Sequence, residues 1–140
     1  MKNKLIYLLI IVLLLTITFP LMAAFPDWIY TMKCDIKPGN YPNTINLKSN
    51  GVIPVAIFGN QYFNVELIDP SSLWLEGAQA FKWSLADSNY DGYIDLISHF
   101  KTKDTDINVG QLRAEIVFYY TSQDENGWYS CSDDICTLFE

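Results

Sequence analysis

Hydrophobic and polar side chains alternate along several segments of the chain, which is the pattern of strands with one buried face. The alternation runs through residues 28–36, 81–86 and 114–120. Residues 52–58 are instead continuously apolar, as a strand buried on both faces would be. Pro54 lies inside that run and predicts an edge strand or a bulge there, because proline lacks an N–H donor. No segment carries the apolar stripe of an amphipathic helix.

Shorter apolar stretches predict further strands, and turn-forming residues separate them. These candidates are residues 44–47, 73–76, 94–101 and 135–139. Residues 63–68 fit either a short helix or a strand. About seven to eight short strands, separated by regular turns, predict an all-β fold that is a single antiparallel β-sandwich of immunoglobulin-like type.

The first 24 residues have the order of a secretory signal peptide. Lys2 and Lys4 form a basic head, residues 5–19 are apolar, and small residues follow Pro20. We therefore expect a signal peptide at 1–24 and a β-sandwich module at 25–140. The alternative is an uncleaved membrane anchor, since the 20 residues of 5–24 are long enough to span a bilayer. Both interpretations predict a secreted or cell-surface protein.

The charge of the chain excludes several classes of partner. It has 16 acidic and nine basic residues, a net charge of −7; losing residues 1–24 removes two lysines and no acid, which makes it −9. Nucleic acid and anionic lipid require a basic surface. We therefore expect no nucleic-acid partner and membrane contact only through an uncleaved N-terminal segment. An unknown extracellular protein or glycan remains as the class of partner.

Three cysteines fit an exported protein, in which a disulfide can persist. Cys131 and Cys136 would close a small loop, and Cys34 would join either of them if the first and last strands lie close. Buried free thiols are the remaining alternative. The odd number leaves one thiol over or forms one intermolecular bond.

The segment 28–36 has one face too apolar to remain in water. We expect it to pair within the sheet of its own domain, with Cys34 facing inward, so a monomer is favoured. The competing arrangement is donation of this strand to a neighbouring subunit, which would build a filament.

Residues 87–95 carry the most specific chemistry in the chain, the spacing of a calcium-binding loop. Oxygen-bearing side chains occupy loop positions 1, 3, 5 and 9, and Gly92 lies at position 6, where the chain must turn sharply. The predicted ligands are Asp87, Asn89, Asp91 and Asp95 through their side chains and Tyr93 through its backbone carbonyl. The alternative is a polar turn rich in Asp and Asn without an ion.

This loop is not an EF-hand, because position 12 is Ser98 rather than an acid and strands rather than helices flank it. Water or other side chains would complete the coordination, with Asp104 and Asp106 as candidates. The affinity expected for such an incomplete set is that of extracellular modules, about 10⁻⁴–10⁻³ M.

Three motifs together resemble a module found in exported proteins of environmental bacteria and archaea. They are IKPGNYPNTINLKSNGVIPVAI from Ile36, IDPSSL from Ile68, and the calcium-type loop from Asp87 to Phe100, and they extend over roughly half of the chain. The resemblance implies export, a β fold and metal ligands at Asp87, Asn89, Asp91 and Asp95, but no activity. The chain departs from the module near its C-terminus, where aromatic residues replace a glycine-rich segment.

Other candidate residues have structural explanations. His99, the one histidine, lies in a predicted strand without a Gly-x-Ser-x-Gly motif, which favours a structural role over catalysis. The sequence distinguishes no pair of acids for glycoside hydrolysis. A set of aromatic residues fits either the sandwich core or a sugar-stacking face. This aromatic set consists of Trp74, Tyr119, Tyr120, Trp128 and Tyr129.

The sequence thus predicts a secreted or cell-surface, non-catalytic β-sandwich module with a structural calcium site. An extracellular carbohydrate- or protein-binding module is the first alternative, and exposed aromatic residues would favour it. A small secreted hydrolase is the second, and it would require a pocket holding His99 or two facing carboxylates.

Overall fold

Strands account for most of the regular structure in the computed structural model, which describes residues 32–124 and 126–139. The predicted signal peptide and residues 28–31 of the first predicted strand lie outside the described residues. Ten strands are present in the described part of the chain. They are β1 Lys33–Ile36, β2 Thr44–Asn46, β3 Val52–Phe58, β4 Ile68–Leu75, β5 Ala78–Gln79, β6 Lys82–Ala86, β7 Asp95–Lys101, β8 Arg113–Thr121, β9 Asn126–Asp134 and β10 Cys136–Leu138.

Eight of these strands form two four-stranded antiparallel sheets. The first sheet has the order β1-β3-β7-β6 and the second has the order β5-β4-β8-β9. This is the strand order of an immunoglobulin sandwich with one extra edge strand, β5. The predicted all-β sandwich is therefore confirmed, with more strands than expected. The remaining strands, β2 and β10, form a separate parallel pair.

The core lies between the sheets and is built by the alternation seen in the sequence. In β8, Ala114, Ile116 and Phe118 are buried, whereas Glu115 between them is exposed. Phe63, in the connection after β3, packs against Phe118 at a ring distance of 6.3 Å. Each such fully buried large side chain contributes about 1.5–3 kcal/mol relative to an exposed one, so the facing interiors of the sheets hold the sandwich together.

Pro54 lies in a central strand, so the expectation of an edge strand or bulge is wrong. Its carbonyl oxygen accepts the N–H of Lys37 (2.7 Å), which shows that the backbone of Pro54 faces β1 rather than β7. β1 ends at Ile36, and the carbonyl of Lys37 accepts instead from the N–H of Asn40 (3.1 Å). The missing proline donor therefore leaves no acceptor unpaired at this point.

The structure contains two strands that the alternation did not indicate, β5 and β9. β9 begins at Asn126-Gly127, a pair typical of turns, and continues through mostly polar residues. It nevertheless pairs with β8 along its whole length, from Asn126 opposite Thr121 to Asp134 opposite Arg113. The strand lies at the edge of its sheet, where polar residues are expected.

The three cysteines form one disulfide and leave one thiol. Cys34 of β1 is bonded to Cys131 of β9, with 6.1 Å between their Cα atoms, and Cys136 is free and exposed. β1 pairs antiparallel with β3 of the same chain, and Cys34 packs against the core. The described half of the first predicted strand is thus confirmed as part of the domain's own sheet.

Candidate functional site

The predicted calcium loop connects β6 to β7 at one end of the first sheet. Two of its residues adopt left-handed backbone conformations, Tyr90 with φ of 61° and Gly92 with φ of 89°. Glycine adopts this conformation without steric strain, which explains its place at the sharp turn. Most of the loop is exposed to solvent, so an ion there would have direct access from the medium.

Backbone N–H groups of the loop hold three of the predicted ligands in place. Asp87 accepts the N–H of Asp91 through Oδ1 (3.1 Å) and the N–H of Gly92 through Oδ2 (3.0 Å). Asn89 Oδ1 accepts the same N–H of Asp91 (3.1 Å). Asp91 Oδ1 in turn accepts the N–H of Tyr93 (2.9 Å). Asp87 and Asn89 thus share one N–H donor, and the side-chain amide of Asn89 donates to Asp91 Oδ2 (2.9 Å), so the three side chains lie together at the turn.

Asp95, the ligand predicted at position 9, lies at the base of the loop and is fully buried, with 0% of its surface exposed. Its Oδ1 accepts the N–H of Gly59 (3.0 Å), and its Oδ2 accepts the N–H and the hydroxyl of Ser88 (2.8 and 2.6 Å). A buried carboxylate is tolerated only when donors satisfy it. Asp95 thus anchors the loop to the end of β3 through three hydrogen bonds.

Sequence reasoning did not identify the two partners of Asp95. Ser88 lies inside the motif, and a hydroxyl next to the first ligand was a usable signal. Gly59 follows β3, far from the loop in sequence, and no local pattern connects it to Asp95.

The acids of the loop have no positively charged partner among the described residues. The one ion pair in residues 32–124 and 126–139 joins Arg113 Nε to Asp134 Oδ1 (3.5 Å), both exposed and on the second sheet. Within the same residues, no group of three or more His, Cys, Asp or Glu side chains is close enough to hold a metal ion. The side chains that lie together in the loop are thus two carboxylates and one amide, which offer fewer ligands than the about six to eight oxygens that calcium takes.

Asp104 and Asp106 do not contribute to this loop, and their candidacy as additional ligands is wrong. They follow β7, whereas the loop precedes it. A strand of this length separates its ends by roughly 20 Å. The backbone N–H of Asp106 instead donates to the carbonyl of Glu76 (2.7 Å), in the turn between β4 and β5.

His99 lies in the middle of β7, opposite Pro54 and Lys82. Its Nδ1 is buried without a hydrogen-bond partner among the described residues, and its ring contacts that of Phe81 edge-on at 6.5 Å. A general base of the Ser-His-Asp type needs a carboxylate on the second ring nitrogen. Among the described residues, no carboxylate is hydrogen-bonded to His99 Nδ1, and the ring packs against Phe81 instead.

The aromatic set divides between the two faces of the second sheet. Tyr120 is buried and its ring meets that of Tyr129 at 5.9 Å, on the side of the core. Trp74 and Trp128 are exposed, at 38% and 63% of their surface, and Tyr119 packs edge-on against Trp128 at 5.6 Å. Part of the set therefore belongs to the core, and part lies exposed on the outer face of the sheet.

No family model, curated protein or solved structure matches this chain. The resemblance to an exported module stays a prediction, and the functional argument depends on the geometry of the chain itself. Among the described residues, no helix is long and apolar enough to cross a membrane.

Proposed function

We propose that this protein is a secreted or cell-surface, non-catalytic β-sandwich module whose β6–β7 loop binds a structural calcium ion. The observation that carries the proposal is the array of oxygens from Asp87, Asn89 and Asp91, held by the loop's own N–H groups. Because the loop's own N–H groups hold these oxygens in place, binding requires little rearrangement. The disulfide between Cys34 and Cys131 supports an oxidising compartment.

The position of the loop gives calcium a structural role. β6 is the edge strand of the first sheet, its one partner strand among the described residues is β7, and all five of its residues are exposed. A strand in this position gains little from burial and separates easily from its neighbour. An ion at the turn between β6 and β7 would hold the two strands together at one end.

The expected stabilisation follows from mass action. An ion that binds only the folded state, at ten times its dissociation constant, adds about 1.4 kcal/mol to the free energy of unfolding. For a domain of this size that raises the melting temperature by roughly 5 °C.

The test compares melting temperatures of the exported protein in millimolar calcium and in EDTA. We expect calcium to raise the melting temperature of the wild type, and Asp87→Asn or Asp91→Asn to abolish most of the increase. Asp104→Asn is the matched control, since it removes an exposed carboxylate beyond the far end of β7. Equal melting temperatures of the wild type in calcium and in EDTA would contradict the proposal.

A binding module for an extracellular glycan or protein is a second candidate, favoured by the exposed aromatic side chains of the second sheet. Trp74 and Tyr119 lie on its outer face, because they alternate with buried neighbours in their strands, and Trp128 stands directly opposite Tyr119 on the same face. Flat aromatic surfaces stack on sugar rings with little loss of conformational entropy.

This second candidate is tested with a panel of soluble polysaccharides. Trp128→Ala should weaken binding about tenfold if the ring is a contact. Trp83→Ala is the control, because Trp83 is about half exposed but lies on β6 of the other sheet. Equal affinities of the two variants would exclude the outer face as the binding surface.

A further inference from the structure

The outer side of β6 is a sheet edge without the usual protection against pairing with another chain. Four strands stand at the edges of the two sheets in the described part of the chain. Of these, β1 and β9 are joined to each other by the disulfide, and β5 has only two residues. β6 has five exposed residues, and Lys82 at its start is the one charged residue among them. Edge strands are normally short, charged or covered, so β6 is a template for a further strand.

The side chains of β6 also leave apolar surface uncovered. Trp83 and Leu85 stand opposite Ser98 and Leu96 of β7, both buried, so they face the second sheet. Trp83 is nevertheless 49% exposed and Leu85 41% exposed. The strand that ends the second sheet on this side, β5, contacts β7 but is too short to cover them. A strand added to β6 would therefore gain both backbone partners and apolar contacts.

The sequence of β6 is complementary to itself when two copies run antiparallel. The register centred on Ser84 pairs all five residues of each strand. It places Trp83 of each copy opposite Leu85 of the other, on the inner face, and pairs of aromatic and aliphatic side chains stabilise a sheet in this position. Lys82 then lies opposite Ala86, so like charges do not face each other.

The charges beside β6 favour the same arrangement. Lys82 begins the strand, and Lys101 lies nearby, with its Nζ 5.8 Å from the centre of the Phe81 ring. The other end of β6 leads into the loop that carries the carboxylates of Asp87 and Asp91. Antiparallel pairing brings the lysine end of each copy to the acidic loop of the other, whereas parallel pairing brings like charges together. Such complementarity sets the orientation in which two surfaces associate.

We propose that β6 pairs antiparallel with β6 of a second copy of this chain, which makes a two-fold symmetric dimer whose first sheets are continuous. A two-fold interface uses the same surface of both copies and is complete after two chains. The monomer expected from the sequence rests on the self-pairing of residues 28–36 and does not involve β6, so the dimer departs from that expectation. Below the dissociation constant of the dimer, β6 is uncovered as in the single chain.

The first test measures the mass of the exported protein by sedimentation equilibrium over a series of protein concentrations. All chains carry Cys136→Ser, so that the exposed thiol cannot link two copies. EDTA is present, so that bound calcium does not change the charge of the acidic loop. We expect the mass to rise twofold, to that of a dimer, with increasing concentration. Leu85→Lys should stay monomeric, because it places a lysine against Trp83 of the second copy.

Leu112→Lys is the matched control, since it makes the same substitution at a leucine that is 74% exposed and lies outside the strands. It should dimerise like the wild type. A wild type that stays monomeric at every concentration overturns the proposal, and so does a Leu85→Lys variant that dimerises as strongly as the wild type. Circular dichroism establishes that each variant is folded.

The second test traps the register and does not depend on the folding of Leu85→Lys. In the proposed dimer the two copies of residue 84 stand directly opposite each other, with Cα atoms about 4.5–5.5 Å apart, which is within the range of a disulfide. Ser84→Cys should therefore form a covalent dimer under mild oxidation, seen on a non-reducing gel.

Ala86→Cys is the control for the trap, because the two copies of residue 86 are offset by roughly 13 Å along the strands in this register. It should remain a single chain under the same oxidation. The proposed pairing is wrong if Ser84→Cys also remains a single chain, or if the two variants cross-link to the same extent.

Discussion

The two lateral edges of the sandwich are built in opposite ways. On one side, β1 and β9 are joined by the Cys34–Cys131 disulfide and by the bond from the Ile36 N–H to Asp133. On the other side, the two-residue strand β5 contacts β7, and every residue of the edge strand β6 is exposed. We call the first the closed edge, because the two sheets are joined there, and the second the open edge.

The length of the opposing strand explains the difference. β9 has nine residues and extends far enough to meet β1, whereas β5 has only two and leaves most of β6 uncovered. Trp83 and Leu85 pair with the buried residues Ser98 and Leu96 of β7, so they face the inner side of the sheet. They nevertheless remain 49% and 41% exposed. Facing inward is thus not sufficient for burial when the second sheet ends too early.

The largest effect is expected from breaking the closed edge. Cys131→Ser removes a cross-link between residues 97 positions apart, which should cost about 2–5 kcal/mol. Thermal unfolding should show a melting temperature lower by roughly 10 °C or more. Cys136→Ser is the control and should melt like the wild type, because its thiol is free and exposed. Equal melting of the two variants would show that the edge holds without the disulfide.

A second comparison uses two leucines that stand opposite each other at the open edge. Leu96 of β7 is buried, and Leu96→Ala should lower the free energy of unfolding by about 2–5 kcal/mol. Its partner Leu85 of β6 is partly exposed, and Leu85→Ala should cost about 1 kcal/mol or less. Urea denaturation measures both values. Similar losses for the two variants would mean that a partner covers β6 in solution.

The smallest effect concerns Asp35 at the closed edge in the absence of calcium. Its pKa is raised in the folded state, so folding favours the protonated form; this contribution is full below the ordinary value of 3.8 and is lost as pH rises through the folded pKa. Near neutral pH the ionised Asp35 is therefore unfavourable, because it is partly buried and lies near the negative charge of Asp133. Asp35→Asn in EDTA should raise the melting temperature slightly at pH 7 and leave it unchanged or lower below pH 3. A decrease at pH 7 would contradict this electrostatic account.

The sequence by itself determined the strands in which apolar and polar side chains alternate. β3 has the predicted bounds, and β6, β7 and β8 differ from the predicted segments by about one residue at each end. The position of the candidate calcium loop was also predictable, since Asp87, Asn89, Asp91 and Gly92 are close in sequence. These features follow from the period of two along a strand and from turn chemistry, both of which act between near neighbours.

Only the tertiary structure decided which distant segments meet. The polar strand β9 exists because β8 pairs with it, and Pro54 is accommodated in a central strand because β1 ends beside it. The disulfide joins Cys34 to Cys131, and Asp35 lies near Asp133. In both pairs the residues are almost a hundred positions apart in the sequence. No local spacing records such pairs, because the order of strands in the sheets, rather than the preference of any one segment, brings their side chains together.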